Sequence, residues 1–374
     1  MTTQIITYPI LFQALLAIVL MFLWSKPKSQ RIVSIIGSVV GLGISAVLFS
    51  FIWRNGTHAI QMGSWDAPFG ISMVADTFSV TLVLLTHIIA LAVSLFSTFG
   101  IVASRVKFGY FAIFHLMIMG LSGAFLTGDI FNLYVWFEVI IISSFVLLTI
   151  GGRKSQIEGA VKYFTLNMLA SIIFLTAIAM LYGTTGTLNM ARLAQVVPLI
   201  EDKGLIEIIA LIFFVAFGVK AGVFPLYFWL PASYHTPPSA VSSLFGGLLT
   251  KLGVYAMIRV FTLIFPPDVF DQELIGIIAM LTILSGAIGA YVKKDIIKVV
   301  SYLIICHIGF MIAGLSMGTE IAIIGAIFYM FHDMIVKANL FLVGGIAHRI
   351  TRSTKLKNMG GLLNSHPKLA LLFA

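Results

Sequence analysis

An all-α polytopic membrane protein is the fold class this sequence predicts, and three observations predict it. Of its 374 residues 60% are hydrophobic and only 10% are charged, against roughly 25% charged in an average soluble chain, and the mean hydropathy is +1.07. Apolar stretches long enough to cross ~30 Å of hydrocarbon recur along the whole length. The 33 glycines and 11 prolines are scattered through those stretches, which excludes collagen-like repetition and a disordered linker as the source of the bias. The single Cys306 excludes a disulfide framework, a thiolate iron–sulfur site and a cysteine-based zinc site.

Taken in order, a first unit of residues 1–108 holds spans at 4–24, 32–53 and 77–101. The first of these runs to Trp24 without a small-residue exit, so it reads as a retained span rather than a cleavable signal. Between the second and third, Gly63–Gly70 separates short β-prone runs, and residues 54–76 are expected as an external hairpin. A second unit, residues 109–264, holds spans at 109–127, 130–150, 158–182, 205–229 and 239–264. Thr187–Val197 reads as a short amphipathic helix on the outer surface. A third unit, residues 265–374, holds 273–291, 296–317 and 320–347. After Pro367 a twelfth span starts, and the seven residues Lys368–Ala374 supply about a third of its apolar length, so the chain is expected to be a fragment that continues. The expected architecture is eleven complete spans plus a truncated twelfth.

Charge tests the count. Lys26, Lys28 and Arg31, then Arg105 and Lys107, Arg153 and Lys154, Lys293 and Lys294, and the group Arg349, Arg352, Lys355, Lys357 and Lys368 all fall in alternate loops. The opposite loops hold only Arg54, Arg192 and Lys203, with the acidic Asp268, Asp271, Glu273 and Glu320. By the positive-inside bias the amino terminus lies outside and the protein is a multi-pass resident of the cell membrane. The net charge of +9 is therefore an orientation signal, and no nucleic-acid partner is implied.

The chain also matches itself at an offset of 166 residues. Asp129-Ile130 falls on Asp295-Ile296, and Gly159–Met168 falls on Gly325–Met334 with identities at Gly, Ala, Tyr and Met. Five spans separate equivalent positions, so the second copy is expected upside down, the inverted-topology repeat that transporters build around midplane sites at broken helices. The same register puts the counterpart of Lys220 at position 386, past the last residue given.

Ionisable residues inside the spans cluster. Counting ~1.5 Å per residue, Glu138, Lys220, Lys251, His332, Asp333 and Lys337 all fall roughly 12 to 25 Å deep. At ~2.5 to 3.5 kcal/mol apiece, five unpaired charges would cost about 12 to 17 kcal/mol, so they must be paired, hydrated or neutral. A purely structural salt bridge is one reading for Asp333 with Lys337 at i,i+4. For Glu138, Lys220 and Lys251 it is weaker, because three lysines cannot all be neutralised by two carboxylates, and a spare lysine in low dielectric can load and release a proton. Gly218, Gly222 and Pro225 flank Lys220, so its helix should break there, leaving backbone groups that water or a neighbouring helix must satisfy in a wet kink. His235, in the rigid turn 231–238, is either a proton inlet or part of a tight loop. Lys162 pairs with Glu158 at i,i+4 or snorkels; Arg259 is expected to snorkel outward; Asp129, Asp295 and Lys298 read as helix-end residues. His87, His115 and His307 each sit alone in an apolar span and read first as hydrogen-bonded core histidines, with nothing favouring haem ligation. No phosphate loop, nucleophile elbow or metal-ligand spacing is found, so neither a cofactor nor a metal is expected.

The segments Gly128–Val139, Lys220 into Phe224–Leu244, and Leu248–Tyr255 resemble the antiporter-like subunits shared by respiratory complex I, membrane hydrogenases and Mrp multi-subunit Na+/H+ antiporters. Glu138–Leu148 and Gly183–Ala194 are most similar to the D-type subunits of the Mrp group. The resemblance covers nearly the whole chain. It implies a secondary ion-transport subunit rather than an enzyme, at work in a hetero-oligomer with other membrane subunits, carrying H+ and, through the complex, Na+. It also implies roles: Glu138 as the span-five glutamate, Lys220 as the broken-helix lysine, Lys251 as the linking lysine, and His332 with Lys337 as the span-eleven relay. Protonation would then pass from Lys220, held charged by a close Glu138, toward Lys251 and His332. Two alternatives stay open: a proton-pumping membrane component powered by redox chemistry elsewhere, and a passive scaffold locked by its buried charges.

Overall fold

The computed structural model describes residues 3–265 and 271–372; Asp268, expected on the outer side, falls outside them. A 3-10 turn, Thr3–Thr7, leads into α1 (Tyr8–Phe22), followed by α2 (Pro27–Asn55), α3 (Thr77–Gly100), α4 (Tyr110–Leu126), α5 (Ile130–Thr149) and α6 (Lys154–Thr185). Next come α7 (Lys203–Ala221), α8 (Ser239–Leu263), α9 (Gln272–Val292), α10 (Ile296–Ser316) and α11 (Glu320–Thr351). Among the described residues ten of these, with α1 taken together with its 3-10 turn as Thr3–Phe22, are long and apolar enough to cross a membrane, and α4, at 17 residues, is shorter.

The helices begin where their caps dictate. Asp76, Asp129, Asp202, Asp271 and Asp295 each accept a hydrogen bond from a first-turn backbone N–H of the helix that follows, and Thr319 does so for α11. Asp129 and Asp295 are thus the helix-end residues their positions suggested. Pro27 opens α2 without losing a needed N–H. At one end of the bundle, β1 (His58–Gln61) pairs antiparallel with β2 (Ser72–Ala75), which is the expected hairpin. It docks through Gly128 N–H donating to Ser72 O at 2.8 Å and Asn189 Nδ2 donating to Ser72 Oγ at 2.8 Å. Asn189 also caps the short helix Met190–Val196, inside the stretch read as amphipathic.

Neighbours in sequence pack side by side: α2 on α3, α5 on α6, α9 on α10 and α10 on α11, while α1 packs on α4 and α6 on α7. The exception is α8, which touches α3, α4, α7, α10 and α11 and is buried on every side. Its middle, Phe245–Leu249, is a π-turn. Gly246 and Gly247 are required there, since an added Cβ would stand 2.4 Å from the Phe341 ring and 3.1 Å from Ala338 Cβ.

The offset of 166 residues recurs in the backbone. Helices α6 and α11 are each 32 residues, and their bounds coincide at that offset. Ile130 N–H donates to Leu188 O as Ile296 N–H does to Thr354 O, both at 3.0 Å. Met190 N–H donates to Gly128 O at 2.9 Å and Leu356 N–H to Lys294 O at 3.0 Å. Both long helices end on a left-handed residue, Gly186 at φ 68° and Arg352 at φ 56°.

Candidate functional site

The site starts from Asp333, on the inner face of α11 and fully buried. Its Oδ2 lies 2.7 Å from Lys251 Nζ of α8, which is equally buried. Its Oδ1 accepts from His307 Nδ1 of α10 at 2.7 Å and lies 3.5 Å from Lys337 Nζ, one turn along α11. Because a carboxylate only accepts, His307 must carry its proton on Nδ1, which leaves Nε2 to face Lys337 Nζ at 3.4 Å. Lys251 completes its coordination by donating to Gly246 O at 2.8 Å, in the π-turn. Two lysines, one carboxylate and one imidazole from three helices thus form one connected cluster, closed among Asp333, His307 and Lys337 with Lys251 joined through Asp333, and His307 is its partly exposed member.

Lys220 lies one residue before the end of α7 and is buried. Its Nζ donates to Ser171 Oγ of α6 at 2.9 Å and stands 4.8 Å from the centre of the Phe137 ring. Phe137 is the chain neighbour of Glu138, which is half-buried, with an Oε1 that has no hydrogen-bond partner. Among the described ion pairs none joins Glu138 to Lys220. The helices of Lys220 and Lys251 nevertheless touch: an added Cβ at Gly253 would stand 2.7 Å from Ala221 N.

The helix of Lys220 breaks at Gly222, one of the residues expected to break it. Helix α7 stops at Ala221 rather than continuing to 229, because Gly222 turns left-handed at φ 88°. The freed groups find protein partners: Trp229 Nε1 donates to Val219 O at 2.9 Å, and Phe224 N–H to Thr282 Oγ1 at 3.1 Å. Pro225 lies in the turn beyond.

Other candidates take these places. His332 is exposed, one residue and so about 100° around the helix from buried Asp333. His235 Nδ1 donates to Pro231 O at 2.8 Å, and burial together with the charge of Lys298 pulls its imidazole below the usual histidine range. Lys162 pairs with Glu158 at 2.6 Å on an exposed face. Arg259 does not snorkel: it makes a two-point ion pair with Asp76, at 2.6 and 3.0 Å, over the Phe78 ring. Burial raises the Asp76 carboxyl, but the Arg259 hydrogen bonds and charge outweigh it and hold the group below its ordinary value. Beside this pair lies a cavity of about 330 Å³ lined by Gln61, Ser72, Asn189, Tyr255 and Arg259. Sequence reasoning took His307 for a lone core histidine; the signal that could have placed it in the site is its depth, level with the row.

Residues 127–374 match the family described as NADH:quinone oxidoreductase/Mrp antiporter, TM. The chain is 44% identical over 371 residues to the D subunit of the Na(+)/H(+) antiporter of Alkalihalophilus pseudofirmus, covering 99% of this chain and 75% of the relative. It is 42% identical to the protein of the same description from Bacillus subtilis, over 98% of this chain and 74% of that one. Among solved structures it is similar to a chain of the Mrp complex from Dietzia sp. DQ12-45-1b, with a TM-score of 0.90 and 27% identity over 100% of this chain and 70% of that one. It is similar also to a chain of an archaeal membrane-bound sulfane sulfur reductase, with a TM-score of 0.92 and 26% identity over 99% of this chain and 77% of that one.

Proposed function

The chain belongs to the NADH:quinone oxidoreductase/Mrp antiporter transmembrane family, and from that premise we propose that it is a proton-translocating subunit of a multi-subunit Na+/H+ antiporter. One observation carries the reading: the connected cluster of Lys251, Asp333, His307 and Lys337, in contact across helices with the segment of Lys220. A lysine that gives its proton to an imidazole while a carboxylate stays within reach of both needs no large movement, and low dielectric makes each transfer sensitive to the next charge along. Glu138, short of an ion pair with Lys220, is a second acidic group able to set that lysine's charge by approaching it. His235, in the turn 231–238, is the proton inlet of this reading.

The finer architecture belongs to the same reading. Counting α4 gives eleven spans, with Pro367 opening a twelfth, and the amino terminus outside. The coincident bounds of α6 and α11, and their paired backbone contacts, support two inverted units at 109–264 and 265–374. H+ is the ion assigned to this subunit; Na+ and the further membrane subunits belong to the complex. The likeness to a respiratory assembly supports a second reading, a redox-driven pump built on the same row. Neighbouring genes for small antiporter subunits would favour the first, and genes for flavin and iron–sulfur subunits the second.

The test is Lys220→Ala in the complete complex, assayed for Na+-driven proton movement in everted membrane vesicles. Loss of transport with assembly intact is expected. Undiminished exchange would remove Lys220 from the path, and loss of assembly alone would favour the scaffold.

A further inference from the structure

A second buried polar cluster lies in the amino-terminal helices, apart from the lysine row. Gln13 (α1), Ser34 and Ser38 (α2), His87 and Ser94 (α3) and His115 (α4) are all within 1% of full burial. His115 is satisfied on both nitrogens, Nδ1 donating to Gln13 Oε1 at 2.7 Å and Nε2 facing Ser34 Oγ at 2.9 Å, with Ser94 Oγ 2.9 Å beyond. His87 is not. Its Nδ1 stands 2.9 Å from Val83 O, a group that only accepts, so Nδ1 holds the proton and Nε2 offers a lone pair. Among the described residues that Nε2 has no partner, and neither do Gln13 Nε2 or Ser38 Oγ.

Two of these orphans meet at one place. A Cβ added to Gly41 would stand 2.7 Å from Gln13 Nε2 and 3.5 Å from His87 Nε2, and Ser38 lies one turn back on the same buried face of α2. The amide offers donors, the imidazole an acceptor, and the hydroxyl either. That is the complement of a single water molecule, which needs two to four polar partners. We propose that the cradle beside Gly41 is a built hydration site, where one water is held by Gln13, His87 and Ser38. It is the inner end of a polar file along α2. Two further orphan atoms, Gln30 Oε1 and Arg31 Nε, mark the other end of that file near the start of α2, about 16 Å away at ~1.5 Å per residue. The file gives solvent protons access to the His87 ring.

The inference is independent of ion transport, and so is its test. Deuterium uptake at histidine Cε1 is read by mass spectrometry on the intact complex in lipid nanodiscs. His87 should exchange severalfold faster in the wild type than in Gly41→Ala, whose methyl, 2.7 Å from Gln13 Nε2 and 3.0 Å from His87 Cδ2, crowds the two side chains that form the cradle. Gly43→Ala, with open space around its Cβ, should match the wild type. Equal, slow exchange at His87 in all three overturns the proposal. Where Gly41→Ala fails to assemble, the wild-type cryo-EM map decides: a density peak within hydrogen-bond reach of Gln13 Nε2 and His87 Nε2 supports the site, and ordered side chains with none between them refute it.

Discussion

Asp333 faces two buried lysines and an imidazole at once, and its substitution should show it. Asp333→Asn would leave Lys251 and Lys337 buried without a counter-charge, at a cost of about 3–5 kcal/mol, seen as a lower thermal midpoint of the purified complex. The double variant Asp333→Leu with Lys251→Met should recover part of that loss, because the charge left behind is smaller. Lys162→Ala is the contrast: its ion pair with Glu158 is more than half exposed, so the change should be within about 0.5 kcal/mol. The sequence disclosed that Asp333, Lys337 and Lys251 share one depth, because depth is a count of residues. It did not disclose His307 as a partner, since that pairing spans 26 residues and two helices. Nor could depth separate His332 from Asp333; only the facing of α11 does.

At the scale of the element, the two lysine helices meet through a residue with no side chain. Gly253→Ala would force α8 away from Ala221, costing about 1–3 kcal/mol and widening the gap between Lys220 and Lys251; a lower midpoint together with slower transport is the expected result. The helix terminators make opposite predictions at equivalent places. Gly186→Ala puts a Cβ into a left-handed position and should destabilise by about 1 kcal/mol, whereas Arg352→Gly relieves one and should be neutral or stabilising. Helix ends were legible where a cap announced them, as at Asp129 and Asp295. The break after Lys220 was legible from Gly222 and Pro225, but the eight apolar residues after Ala221 hid where the chain goes next, which only the partners of Val219 and Phe224 show.

Over the whole molecule, hydropathy and loop charge disclosed the spans and suggested their direction, but not which span is central. An apolar helix facing lipid and one buried among helices have the same composition, and α8 is singled out only by packing. The hairpin was expected from its turn residues; its anchoring to α8 by Asp76 and Arg259 was not, because the partners are 183 residues apart. Asp76 has a lowered pKa in the folded protein, so its contribution is present above the unfolded value and lost only as pH falls through the folded one. Protection of residues 58–75 against backbone deuterium exchange, corrected for the intrinsic rate, should therefore be alike at about pH 8 and about pH 5, and weaker at both in Asp76→Asn.

Helix α8 carries one ion pair at its middle, on Lys251, and another near its C-terminal end, on Arg259, about 12 Å apart along a single rod. A stiff rod pinned at two points transmits torque. Whatever tugs the hairpin by Asp76 also leans on Lys251 in the buried centre, so that end of the bundle and the core are mechanically geared to one another.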